Sequence, residues 1–418
     1  MKPRQDLVLS GGFCLANEGV EYYVFAPKAK EFQLFLDFPY KLQSEWINTA
    51  NFKVVKKGPS VNSTTKFETP ADGEDWILHV FAPKPQEVAM GNFPDLTTDT
   101  EGNIHLVYNR DGLKYRKYDI VSKKWSEEVS PGCECKGVNR SDPDIVVDSK
   151  GNPHVFCGKE YTWFKENIWQ KPVQVGSRDS ELAIDSKDNV YLASRGGNYG
   201  GYIGFVKKPY SSKDWTKLPD PDINNMGKNN HVYTDLWIDA SDIIHLVQRH
   251  GPKVEVTYRR SDDGGKTWPV EEEVSDEREE SPHIIVNSKG VPFISTGNGF
   301  ILERGKNDSW KQLGRKLKVK TRMQPELGID GQDVIYMTAF GGLFNIGDGG
   351  YWTGEKLIYP VTKNNKVGFV ETSGQKDFAY VVWEEGRGNA DEGLDENSKI
   401  IVGIIYPDGR IIGFPATR

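Results

Sequence analysis

A motif recurs from about residue 90 onward, and it constrains this chain more than any other feature. Its first copy reads Phe93-Pro94-Asp95-Leu96-Thr97-Thr98-Asp99, then Glu101-Gly102-Asn103, then Ile104-His105-Leu106-Val107-Tyr108. Further copies begin near Asp142, Asp179, Thr234, Ser281 and Gln324, and a degenerate one begins near Val367. Taking the turns at positions 102, 151, 188, 242, 290, 331 and 374, the spacing runs from 37 to 54 and centres near 45. Each copy is a strand ending in Asp, a Gly/Asn turn and a returning β-rich strand. Asp there bonds its own backbone, and Gly supplies the positive φ of a tight hairpin. Two more strands follow in most copies, as at 114–118 and 125–129. Four strands per copy in seven copies predict an all-β chain built on a seven-bladed β-propeller.

Residues 1–84 do not repeat. Alternation in Glu21-Tyr22-Tyr23-Val24-Phe25, Phe32-Gln33-Leu34-Phe35-Leu36 and Ser44-Glu45-Trp46-Ile47-Asn48 predicts an N-terminal β-sandwich, to which the resemblance given below assigns an accessory role. The stiff stretch Ala82-Pro83-Lys84-Pro85 leads into a propeller over residues 85–418. The formal net charge of −7 argues against a nucleic-acid partner. No run of about 20 apolar residues predicts a membrane span. Of four cysteines, Cys133 and Cys135 form a C-x-C pair, and Cys14 and Cys157 stand alone. Ordinary thiols are expected. A zinc site with His154 and Cys157 is the weaker reading, since that spacing lacks the usual reach.

Ligands of a propeller gather at one mouth of the central channel. Two sets of loops reach it: those before each inner strand and those after each second strand. They offer Arg110, Arg195, Asn198, Tyr199, His231, Tyr233, Arg249, His250, Arg322 and Arg387. This excess of Arg and His over an acidic background predicts an anionic ligand such as a uronate carboxylate. In blade 4, His231 precedes the inner strand and His250 follows the second, so both are expected at the same mouth. His245, inside the strand, is expected to be packed.

The run Ser261-Asp262-Asp263-Gly264-Gly265-Lys266-Thr267-Trp268 resembles the Asp-box turn of sialidase-like propellers, a mark of fold and not of chemistry. Residues 5–81, with DLVLSGGFCLANEGVEYYVFAP, SEWINTANF and TPADGEDWILHVF, resemble the small β-sandwich of the collagen-binding type that closes bacterial glycosidases. The stretch NNHVYTDLWIDASDIIHLVQRHGPKVEVTYRRSDDGGKTW resembles the BNR-repeat propellers, ulvan lyases among them. That resemblance implies a β-eliminating uronate site in which His231 and His250 match the family's histidine pair. The Tyr and Arg that the family carries in the next blade are absent: Ser281–His283 and Thr296–Asn298 stand there.

The function expected is therefore a carbohydrate-active enzyme cleaving an anionic, uronic-acid-containing poly- or oligosaccharide by β-elimination or hydrolysis. His250, His231 and Tyr199 carry the chemistry in this reading. Arg195, Arg249, Asn198, Tyr233, Arg110 and Arg387 bind substrate. A carboxylate-pair hydrolase would draw on Asp142, Glu181, Glu326, Glu384 or Glu385, although a carboxylate opening a strand usually bonds amides of the neighbouring blade. The alternatives are a glycan-binding propeller without catalysis and a sialidase-like hydrolase. No cofactor is called for; the acidic stretch at 389–397 offers oxygen ligands to a structural calcium, or is a solvated loop. A monomer is expected, periplasmic or secreted if an export signal has been removed, and cytoplasmic otherwise.

Overall fold

A computed structural model describes the chain apart from residues 10–11, 29–30, 72–73, 136–142, 178–179, 196–202, 222–233, 251–254, 276–281, 297–300, 314–325, 340–341, 348–350, 353–365, 387, 390–392, 395–397, 408–409 and 415–418. It divides into two compact units, Met1–Gln86 with Arg410–Arg418, and Glu87–Gly409. The division differs from the expected 1–84 and 85–418 in that residues 410–418 belong with the first unit.

In the first unit one long strand, Glu31–Asn48, replaces the two short strands expected at 32–36 and 44–48. Its first half pairs with Val8–Leu9 and Val61–Glu68. Its second half pairs with Val54–Lys57 and Trp76–Phe81. Register shifts between Leu34 and Leu42 bend the strand, so that it serves two sheets. Alternate residues point inward: Tyr22, Val24, Leu34, Trp46, Leu78 and Val80 form the core.

Among the described residues the second unit contains seven four- or five-stranded antiparallel sheets in chain order, and a small hairpin of Gly388–Asn389 with Gly393–Leu394. The inner strands are Asn92–Thr98, Asp144–Val147, Ser180–Ile184, Thr234–Ile238, His283–Val286, Glu326–Ile329 and Lys366–Gly374. Each inner strand neighbours the next, and the seventh returns to the first, where Thr98 Oγ1 lies 3.1 Å from Ser373 Oγ. The chain is thus an all-β protein with a seven-bladed propeller. Lys399–Ile405, the third strand of blade 7, also pairs with Gln86–Met90, which precedes blade 1 in sequence. The Gly91 amide extends that closure by donating to the Ser398 carbonyl at 2.9 Å.

The predicted hairpin turns form on the acids at the strand ends. Asp99 Oδ1 accepts the amides of Glu101 and Asn103 at 3.0 and 2.9 Å, and Asp148 and Asp185 repeat the pattern. The left-handed position is Gly102, Gly151 and Gly290 in blades 1, 2 and 5, but Asp188, Asp242 and Asp333 in blades 3, 4 and 6. In blade 6 it is therefore Asp333, not Gly331. Each of these aspartates reaches back to the preceding blade, where the amide and hydroxyl of Ser149, Ser186 or Ser288 donate to its carboxylate at 2.7–2.8 Å. That bond explains why a non-Gly residue occupies a strained conformation.

Behind the turns runs a repeated joint. His105, His154 and His245 are buried in the second strands of blades 1, 2 and 4. Their Nδ1 atoms meet Tyr115, Tyr161 and Tyr258 hydroxyls at 2.8, 2.5 and 2.8 Å. On the other side each faces the turn aspartate. Burial pushes all three imidazoles down, His105 to about 4. The three tyrosines then take a Trp from the next blade edge-on: Trp169, Trp215 and Trp310, with centroids 5.1, 4.9 and 5.3 Å apart. Trp268 does the same to Phe205 at 5.4 Å. The turn before Trp268 is closed by Ser261 Oγ, which accepts the Gly265 amide, and by Asp263, which accepts the amides of Lys266 and Thr267.

The cysteines depart from expectation. Cys135 and Cys157 form a disulfide, so neither is a thiol and Cys157 is no zinc ligand; Cys14 and Cys133 are free and buried. The bridge spans a sequence separation of 22. The loop entropy it removes from the unfolded chain corresponds to about 3 kcal/mol. Urea unfolding of a Cys135→Ala/Cys157→Ala variant against the parent is expected to show a loss of that size.

Candidate functional site

The inner strands all begin at the end of the blades where the second strands finish, because each pair is antiparallel. Four residues before each turn acid, this register places Asp95, Asp144, Glu181, Asp235, His283 and Glu326 opposite Val107, Phe156, Ala193, Val247, Ser295 and Thr338. Blade 7 has Glu371 at the same place by register. Six consecutive blades therefore bring five carboxyl groups and one imidazole to one level of the channel.

Three of the carboxylates hold the next blade. The Ile145 amide donates to Asp95 Oδ2 at 2.9 Å, the Leu182 amide to Asp144, and the Ile284 amide to Asp235 Oδ2 at 2.6 Å. Asp95 and Asp235 also accept the following amides of their own strands, from Leu96 and Leu236, at 2.6 and 2.7 Å. Glu181 and Glu326 have no such backbone bond among the described residues. His283 Nδ1 lies 2.5 Å from Glu326 Oε2 and 3.6 Å from Asp235 Oδ2. Asp95 and Glu181 beside Asp144 favour its charged form.

Water touches these side chains, with Asp235, His283 and Glu326 17–22% exposed, yet protein surrounds them. Burial, with the Asp144 charge next, pushes Asp95 well above the usual carboxylate range. Burial lifts Asp144 to about 7, against the Leu182 amide that favours its charge. Glu181 is pushed well up by burial and by Asp144, Asp235, Glu326 and Asp95. Burial also raises Glu326, while His283 restrains it. For His283 burial opposes the charge, but Glu326 and Asp235 outweigh it and lift the imidazole to about 10. Asp95, Asp144, Glu181 and Glu326 are thus pushed up by burial and crowding, while Glu326 and Asp235 favour the charged form of the imidazole beside them, the divergence that equips a site for acid–base work.

The mouth was expected to be cationic; among the described residues its innermost level is this acid ring instead. Sequence reading picked out Glu181 and Glu326 singly, met His283 only where the lyase family has its Tyr, and missed Asp95, Asp144 and Asp235. Arg110 follows the second strand of blade 1 and is paired with Glu128, which also accepts the Tyr108 hydroxyl. Arg249 and His250 end the second strand of blade 4, opposite Val256 and Glu255, with Arg249 half-buried. Arg195 ends the second strand of blade 3. Register thus puts Arg110, Arg195, Arg249 and His250 at the acid-ring end of their blades, with the His250 and Arg195 side chains outside the described set. His231, Tyr233, Asn198, Tyr199, Arg322, Arg387 and Asp142 lie outside the described residues, as do Asp391, Glu392, Asp395 and Glu396 of the calcium reading. Glu384 is fully buried in blade 7. His245 is packed, as its position inside a strand predicts.

No protein-family model matches the chain, and no curated protein matches it. Among solved structures, the chain is similar to YCF48 bound to a D1 peptide at 10% identity and TM-score 0.50, over 81% of this chain and 99% of that one. It is also similar to the Hadza microbial sialidase Hz136 at 9% identity and TM-score 0.41, over 92% and 96% of the two chains. NanB sialidase from Streptococcus pneumoniae aligns at 10% identity and TM-score 0.43, over 91% of this chain and 83% of that one. At such identities the likeness concerns the propeller fold.

Proposed function

We propose that this propeller is a carbohydrate-active enzyme that cleaves a uronic-acid-containing oligo- or polysaccharide at the channel end where the carboxyl ring lies. The observation that supports this reading is Glu181, a partly exposed carboxyl that burial and the neighbouring acids push well above the usual carboxylate range. Breaking a glycosidic bond by hydrolysis requires an acid that still carries its proton near neutrality and a carboxylate across the site. Glu181 supplies the first. Asp235, in the adjoining blade and fixed by two backbone amides, is proposed as the second. Arg195, Arg249 and Arg387, with Asn198 and Tyr233, hold the substrate carboxylate and hydroxyls. Arg110 joins them only by leaving Glu128.

The position of Arg249-His250 at the same end favours one second reading, β-elimination. There His250 removes the proton beside the uronate carboxylate, and His231 and Tyr199 stabilise the charge that develops. The Cys135–Cys157 disulfide fits an oxidising compartment such as the periplasm or the cell exterior.

Incubation with a panel of uronate polysaccharides separates the readings. New reducing ends without absorbance of an unsaturated uronate are expected for hydrolysis. Absorbance lost on His250→Ala would transfer the chemistry to elimination. Binding without any cleavage would make this a glycan-binding propeller, and neither binding nor cleavage would remove the proposal.

A further inference from the structure

The N-terminal unit carries a second surface with a chemistry of its own. Strands Phe13–Asn17, Glu21–Ala26, Trp76–Phe81, the second half of Glu31–Asn48 and Val54–Lys57 lie side by side. The register aligns Phe13, Phe25, Ile77, Ile47 and Val54 in one row across all five strands. This row lies on the face opposite the core residues Cys14, Val24, Leu78 and Trp46. Phe13 and Val54 are 61% and 51% exposed, and Leu15, on the same face, is 48% exposed. Phe13 and Phe25 stack with centroids 6.4 Å apart.

The adjoining rows mix aromatic and polar side chains, with Lys57 opposite Glu45. His79 is stacked between Tyr23 and Phe81 at 4.3 and 4.5 Å, and its two ring nitrogens reach Glu45 and Glu21 at 2.9 and 2.8 Å. A stripe of apolar side chains therefore runs beside a stripe of fixed hydrogen-bonding groups on one open sheet face.

Size and charge select the occupant. Five strands about 4.8 Å apart and three rows deep make a face of roughly 19 by 14 Å. That is about a third of the ~800 Å² that each partner buries in a stable protein interface. It suits a flat ligand with C–H faces and hydroxyl edges, and an unbranched sugar chain has both. The carboxylates of Glu21 and Glu45 accept from hydroxyls and repel anionic sugars.

We infer that this face is a binding platform for a neutral, flat polysaccharide, distinct from the channel end and from the uronate proposed there. Sedimentation of the full chain with insoluble cellulose and xylan, and with alginate gel as the anionic counterpart, tests it. Retention by a neutral glycan, about tenfold weaker in Phe13→Ala/Ile77→Thr with an unchanged thermal midpoint, is the result expected. A Glu181→Gln variant is expected to bind as the parent does, so loss of the channel reading leaves this one standing. No retention by either neutral glycan would overturn it. So would equal retention of the platform variant, or a dimer in solution that the same variant dissolves.

Discussion

Glutamine at position 181 is expected to lower turnover about 10²–10⁴-fold and, at the same time, to raise the thermal midpoint. The first effect is the loss of a positioned general acid. The second follows from the surroundings of Glu181, where burial and neighbouring carboxyls penalise its charge. Glutamine has nearly the same shape and carries no charge to penalise. A carboxyl whose folded pKa is raised stabilises fully below its unfolded value of about 4.3, and that contribution fades as pH rises toward the folded pKa. The advantage of Glu181→Gln therefore widens with rising pH. Thermal melts of variant and parent at pH 5 and pH 8 check this, with the larger gap expected at pH 8. A gap independent of pH, or a variant less stable at both, would show that Glu181 is not held protonated.

Removing the ring of Tyr161 is expected to destabilise the propeller by about 3–5 kcal/mol. This residue is fully buried and makes the joint between blades 2 and 3, with His154 on its hydroxyl and Trp215 against its face. Alanine there removes a large aromatic volume that blade 3 cannot collapse to fill. Phenylalanine keeps the packing but leaves His154 Nδ1 unpartnered in a buried place, at about 1–3 kcal/mol. Urea midpoints of Tyr161→Ala and Tyr161→Phe give the two costs. Equal midpoints would mean that the hydroxyl, not the ring, makes the joint.

The propeller was legible because its turns are local chemistry: an Asp or Asn that bonds the amides two and four residues on writes itself into the sequence in blades 1 to 6. The acid ring was not, although its signal was present. Asp95, Asp144, Glu181, Asp235 and Glu326 each stand four residues before a turn acid, as His283 does before Asn287. Only register shows that these residues meet, since they are far apart along the chain. The tryptophans behave the same way. Trp125, Trp169, Trp215, Trp268 and Trp310 recur blade by blade, yet only the one in the Ser261–Trp268 run was marked by its motif. The Cys135–Cys157 bridge was hidden for another reason: four cysteines allow several pairings, and spacing alone does not choose among them.

The strand Gln86–Met90 waits for a partner made some three hundred residues later, Lys399–Ile405. During synthesis from the N-terminus, six blades have their full complement of strands before the seventh can be finished, and the circle stays open until its last long strand has left the ribosome. A shortened product ending between residues 386 and 399 would carry an exposed edge on Gln86–Met90 and another on Ala379–Gly386, the two surfaces through which unfinished rings would join one another instead of closing.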